Sequence, residues 1–221
     1  MSLQQYSDLV TAASRWINRP ALSVYVPDFI TLAHIRMCRE IRVDWVSKRL
    51  SKLGSDAIAG NGAEFILPSY FNGIRFIKIN RNPILNLRYI TPEAADFQNL
   101  ANQSGDPKFY TIDSGILTIL PYAKVNDNIT ISQYFKPVAI DDSINTTNEF
   151  TENAFDAYLF ATVLEASLFV KDDERLQMWE TRYEGVINSI IEDDKQRRWG
   201  ETSMESSAPY VDVLQRDVAS G

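Results

Sequence analysis

The chain has 221 residues, of which 45% are hydrophobic and 11% aromatic. That is enough to take about 70% of the unfolded surface out of water, which excludes global disorder. One cysteine, Cys38, excludes an intramolecular disulfide framework and points to a reducing compartment. The net charge of −7 is unevenly placed: residues 1–140 carry 15 basic and 11 acidic side chains (+4), and residues 141–221 carry 7 and 18 (−11). Such polarity bears on partners and association rather than on fold. No apolar run approaches the roughly 20 residues of a bilayer span. The N-terminus has no basic region leading into an apolar core, so no signal peptide is visible.

Ser2 followed by Gln5 resembles a capping box and predicts a first helix from about Leu3 to Ile17, with Leu9, Val10, Ala13, Trp16 and Ile17 as its apolar stripe. Pro20 ends it. Pro27 and Asp28 open a second helix expected to run to about Leu53, before Gly54, with Ile30, Ala33, Met37, Ile41 and Trp45 on its buried face. Gly54 to Gly62 reads as a flexible polar link.

From Glu64 to Pro137 the period changes to two. Strands are expected at Phe65–Leu67, Ile74–Ile79, Leu87–Ile90, Phe109–Ile112, Ile116–Leu120 and Ile129–Phe135. Asp113-Ser-Gly115 reads as a tight hairpin turn, and Pro92 to Leu100 as a short helix. Short connections predict an antiparallel sheet without a βαβ unit. The helical period returns at Thr151. Phe155, Leu159, Val163, Ala166 and Val170 form one stripe, and Phe160, Leu164 and Leu168 make that helix apolar all round, hence central. Leu176, Trp179, Tyr183, Ile187 and Ile190 form the stripe of a last helix ending near Trp199.

The expected organisation is α+β. A helical scaffold, made of an N-terminal helix pair (1–54) and long C-terminal helices (150–200), carries a small inserted antiparallel β lobe (64–137) and an extended tail (201–221). In that tail Tyr210-Val-Asp-Val-Leu214 alternates in the strand period. Tyr210, Val211, Val213 and Leu214 could add a strand to a neighbour's sheet or drape along a partner.

Catalytic patterns are missing from this sequence. His34 is the only histidine, and no G-x-S-x-G or phosphate loop occurs. His34 and Cys38 lie four apart on a helix, but a zinc site needs about four ligands, so a core pair is the expected reading. No cofactor is implied. Asp172 and Asp173 are adjacent, which suits a helix cap better than an acid/base pair. Glu192, Asp193 and Asp194 read as a solvated helix face. Arg36, Arg39, Arg42 and Arg49 would share one face of the second helix, and with Lys48 and Lys52 against Glu40 and Asp44 the stretch 36–52 sums to +4. That face could bind nucleic-acid phosphates or the carboxylates of a protein partner.

Four segments resemble the head-to-tail adaptor (connector) proteins of short-tailed bacteriophages. They are Trp16-Ile-Asn-Arg19 with Val26-Pro-Asp-Phe-Ile30 and Arg36 to Arg42; Leu67-Pro68 with Tyr70-Phe71; Tyr89-Ile-Thr-Pro92 with Gly105-Asp-Pro107; and Tyr158 to Phe169 with Lys171-Asp-Asp-Glu-Arg175, Trp179 and Tyr183. The resemblance implies a non-enzymatic virion subunit made in the host bacterial cytoplasm. It implies a dodecameric homo-oligomer ring below the portal protein, joined to downstream tail or nozzle proteins. Genome DNA would pass through the channel without sequence-specific binding, and no membrane is involved. On this reading Arg36, Arg39, Arg42 and Arg49 become candidate partner-docking residues. Asp172, Asp173, Glu192, Asp193 and Asp194 become candidate channel-facing residues. The alternatives are another neck or tail-completion protein, or a DNA-binding accessory of packaging.

Overall fold

The computed structural model of the chain describes residues 4–98, 100, 105–170 and 173–199. Helix α1 spans Tyr6–Ile17 and starts where Asp8 accepts the Gln5 N–H at 3.2 Å. It stops at Asn18, which takes the left-handed conformation (φ 49°). Helix α2 spans only Val26–Glu40. The second helix was expected to reach Leu53, and the structure corrects this. Ile41, Val43 and Val46 are each 1% exposed. Ile41 and Val43 alternate with exposed Arg42, so the backbone there is extended and period two wins. Past Trp45 the helical stripe would fall on Lys48, Arg49 and Lys52, which offer nothing to bury. Residues Ser47–Leu53 instead form strand β1.

Strands β2 (Glu64–Ile66), β3 (Phe71–Ile79) and β4 (Leu85–Tyr89) follow, then helix α3 (Pro92–Phe97) and strands β5 (Phe109–Asp113), β6 (Ile116–Leu120) and β7 (Asn128–Phe135). They form one curled seven-stranded sheet, a half-barrel, in the order β1-β7-β3-β4-β5-β6-β2. This corrects the expectation of a helical scaffold with a small inserted β lobe, although the class remains α+β. The sheet is also mixed. Strands β4 and β5 pair in parallel, with α3 in the crossover between them, so the expected all-antiparallel lobe without a βαβ unit is wrong at this point. The short α3 was legible, but not that its strands would be neighbours.

Strands β5 and β6 meet at a two-residue turn in which Ser114 (φ 49°) and Gly115 (φ 80°) are both left-handed. The stretch from Gly54 to Gly62 is anchored at Gly54, Ala57 and Gly62, which are buried, while the residues between them are exposed. A side chain at Gly54 or Gly62 would overlap the carbonyl of Lys124 or Ala123, so only glycine lets the two backbones touch.

Helices α4 (Glu149–Asn153), α5 (Phe155–Val170) and α6 (Asp173–Trp199) complete the chain. Asn148 caps α4 by accepting the N–H groups of Phe150 and Thr151, each at 3.0 Å. Helix α5 is apolar on most sides and is packed by α1, α2, α4 and α6, as its composition requires.

Two main cores result. One lies among the helices and includes Leu9, Ile30, Met37, Phe150, Tyr158 and Leu164. The other lies inside the half-barrel, where Phe65, Ile77, Leu117, Ile119, Ile129 and Ile131 meet. The segment between α2 and β1 joins them. Arg75 of β3 reaches Asp44 at 2.5 Å and the Ser47 hydroxyl at 2.9 Å, and the Asp44 N–H donates to Asp194 of α6 at 2.7 Å. Among the described residues no helix is long and apolar enough to cross a membrane.

Candidate docking surfaces

The four arginines expected on one helix face are split over three places. Arg36 and Arg39 lie on α2, Arg42 in the extended link after it, and Arg49 on β1. Arg36 is drawn inward: its Nε lies 2.8 Å and a terminal nitrogen 2.6 Å from Glu165 Oε1 on α5. Arg49 lies over the Phe76 ring, 5.8 Å from its centre. Arg39 and Arg42 are exposed, and among the described residues no carboxylate pairs with either. With Arg49, which is also exposed and has no carboxylate partner among the described residues, they keep charge to offer a partner.

The surface around Arg39 is partly apolar. Leu32 and Ile35, on successive turns of α2, are 49% and 41% exposed. A groove lined by Leu32, Arg36, Arg39, Glu40 and Glu165 runs between α2 and α5. Toward the start of α2, Tyr25 and Phe29 each contact Phe169 with ring centres 5.5 Å apart, and Phe169 stays exposed. Exposed Leu and Ile beside unpaired arginine make a surface suited to protein contact.

The acidic cluster of α6 behaves differently from its expected solvated face. Glu192 and Asp193 are exposed, with Lys195 at 3.3 Å and Arg197 at 2.9 Å. Asp194 is only 6% exposed: it accepts the Asp44 N–H and pairs with Arg198. The correction has a clear cause, since Asp194 continues the buried stripe of Tyr183, Ile187, Ile190 and Ile191 and holds the end of α6 against the α2–β1 link. With a cation one turn beyond each acid, residues 192–198 sum to zero. Asp173 opens α6. Asp172 and the tail residues Tyr210, Val211, Val213 and Leu214 lie outside the described residues.

His34 and Cys38 sit in the helical core. His34 Nε2 is 3.1 Å from the Pro137 carbonyl oxygen, and its ring meets the edge of Phe150. Cys38 Sγ is 3.4 Å from His34 Nε2. Burial pushes the Cys38 thiol up to about 11 and the His34 imidazole below its ordinary value. A thiol so raised is a poor nucleophile at neutral pH. Among the described residues no group of three or more His, Cys, Asp or Glu could hold a metal ion.

Three ionic links were not legible in the sequence. Tyr183 of α6 donates to Glu40 Oε2 at 2.5 Å, tying α6 to the end of α2. Arg81, after β3, bridges Asp106 at 2.6 Å and Asp127. Burial alone would raise the Asp127 carboxyl, but the Arg81 hydrogen bonds and the Lys124 N–H more than reverse it. The Arg75–Asp44 pair likewise holds Asp44 below the usual carboxylate range.

Exposed arginine, exposed aliphatic ridges and internally paired carboxylates define a protein that works through surface contact. The description that matches the chain agrees: SU10 adaptor protein, over residues 4–207. The chain belongs to this family, a family of phage adaptors, and is a virion component that contacts other phage head or tail proteins. Comparison with curated proteins finds no match.

Proposed function

We propose that the chain is a structural head–tail connector subunit that forms a dodecameric ring below the portal, joins capsid to tail, and lets genome DNA pass through the ring. The observation that carries the docking part is the pair Arg39 and Arg42, exposed and, among the described residues, without a carboxylate partner, beside exposed Leu32 and Ile35. Phosphate binding would use the cations alone, whereas a carboxylate-bearing protein face uses cation and aliphatic ridge together. Glu192 and Asp193 are proposed to face the channel with Asp172 and Asp173. Because Lys195 and Arg197 offset the first pair, repulsion of DNA would rest on the net −11 of residues 141–221 as a whole.

The double variant Arg39→Glu/Arg42→Glu tests the docking face. Neither residue makes an ion pair among the described residues, so the variant should fold with unchanged circular dichroism. It should lose binding to portal rings by about 100-fold in a pull-down titration. Normal capture of the folded variant overturns the assignment. So does a variant that keeps portal binding and loses only a steeply salt-dependent affinity for DNA, which would give the face to nucleic acid.

A further inference from the structure

The half-barrel does not close. Its strand order begins at β1 and ends at β2, and among the described residues no strand pairs with the outer edge of either; the Ile58 N–H donates to the Glu64 carbonyl oxygen at 2.8 Å on the β2 side. A groove of about 370 Å³ opens between them, lined by Lys52, Asp56, Ile58, Phe65 and Ile66. Ile58 is 53% and Ile66 72% exposed there. Leu50 packs on the half-barrel core but stays partly open at the edge. Alternate residues of β1 turn their backbone outward: the Ser47 N–H donates to the Asp44 carbonyl oxygen and the Leu53 N–H to Asp56 at 2.8 Å, which leaves the Arg49 and Ser51 N–H groups open as a template for another strand.

The chemistry of that edge selects its occupant. Strand β1 reads Ser-Lys-Arg-Leu-Ser-Lys-Leu, with three cations and no acid (+3). A second copy of β1 would set like charges opposite one another, whereas an acidic strand is attracted. The chain's own end offers a segment of that charge sign: residues 208–217 carry Asp212 and Asp217 against Arg216 (−1), Glu201 and Glu205 lie on the approach to it, and Tyr210-Val-Asp-Val-Leu214 has the strand period. From residue 208 onward this segment also lies beyond the family match, so the match says nothing of it.

Reach permits the pairing within one subunit. Asp194, in the last turns of α6, holds the N–H of Asp44, three residues before β1 begins, so the chain leaves α6 beside the start of that strand. Residues 200–209 can span up to about 35 Å, more than the ~23 Å length of a seven-residue strand.

We propose that residues 208–217 of the same chain pair with the outer edge of β1 as a further strand. Val211 and Val213 then face the groove with Leu50 and Phe65, and Asp212 falls on the opposite face with Arg49. This concerns the isolated subunit and does not rest on the ring or the portal.

Hydrogen exchange read by mass spectrometry tests it, comparing the full chain with a chain ending at residue 207. The outward amides of Arg49 and Ser51 should exchange about tenfold faster in the truncated chain. The full-length double variant Val211→Asp/Val213→Asp should reproduce that change, and the protection should survive about 100-fold dilution because pairing within one chain does not depend on concentration. Equal exchange at β1 in all three proteins overturns the proposal. Protection that disappears on dilution also overturns it, and assigns the edge to the tail of a neighbouring copy.

Discussion

In the helical layer α5 is enclosed by α1, α2, α4 and α6, and Phe150 and Tyr158 reach no solvent. In the half-barrel Phe65 is just as buried at 2%, yet its neighbour Ile66 is 72% exposed at the open seam. The helical core closes on itself because helices satisfy their own backbone and need only side-chain cover. The curled sheet leaves two edges whose backbone groups need water or a partner. The charges divide the same way. Arg36, Glu165, Glu40 and Tyr183 tie helix to helix, whereas β1 carries Lys48, Arg49 and Lys52 on an uncovered strand.

The largest effect that would sharpen this contrast comes from truncating one aromatic in each core. Phe150→Ala should cost about 4 kcal/mol in denaturant titration, because its site is closed on all sides by His34, Trp45 and Tyr158. Phe65→Ala should cost less, about 3 kcal/mol, because the seam lets neighbours or water relax into the space. Equal losses would mean that the seam is covered in the isolated subunit.

Next comes the ionic clamp of the sheet. Arg81→Ala leaves the Asp127 carboxylate, itself 8% exposed, without its guanidinium. A loss of about 3 kcal/mol is expected at pH 7. Asp127 titrates below its unfolded value, so its contribution is present above about pH 4 and fades as pH falls through the folded value. Thermal melts of wild type and variant should therefore converge in acid.

The third test removes single hydroxyls from the helical layer. Tyr183→Phe should cost about 1–2 kcal/mol by deleting the donor to Glu40. The Tyr158 hydroxyl is buried with no hydrogen-bond partner among the described residues, so Tyr158→Phe should be neutral or slightly stabilising. A large loss at Tyr158 would reveal an unseen partner in that core.

The smallest effect is pH-dependent and confined to the helices. Burial lowers the His34 pKa, so the unfolded chain binds the proton more readily. Stability should begin to fall as pH drops below about 6.5 and level off below the folded value. His34→Gln should flatten that slope in urea titrations and leave the acid transition of the sheet in place.

Much of the fold could be read residue by residue. Strands β5 to β7 and helix α5 follow from clean periods of two and from an apolar surface all round. The misreading of residues 41–53 has a physical origin: Ile41 and Trp45 continue a helical stripe by spacing alone. The counter-signal was present, since Arg42, Lys48, Arg49 and Lys52 left no apolar face to bury beyond it. Asp194 was unreadable for another reason. A carboxylate between exposed neighbours looks solvated until the Asp44 N–H and Arg198 close around it.

By itself the sequence determined the α+β class, the central place of α5, the resemblance to phage adaptors, and the uneven charge along the chain. These follow from periodicity, composition and local motifs, which act between near neighbours. Only the tertiary structure decided that seven strands join in one mixed, open half-barrel, that β4 and β5 run parallel, and that Arg36 of the arginine row is drawn into an ion pair with Glu165. Strand partnership and ion pairing join residues far apart in the chain, from Arg36 and Glu165 to Asp44 and Asp194, and no local pattern encodes which distant group will arrive.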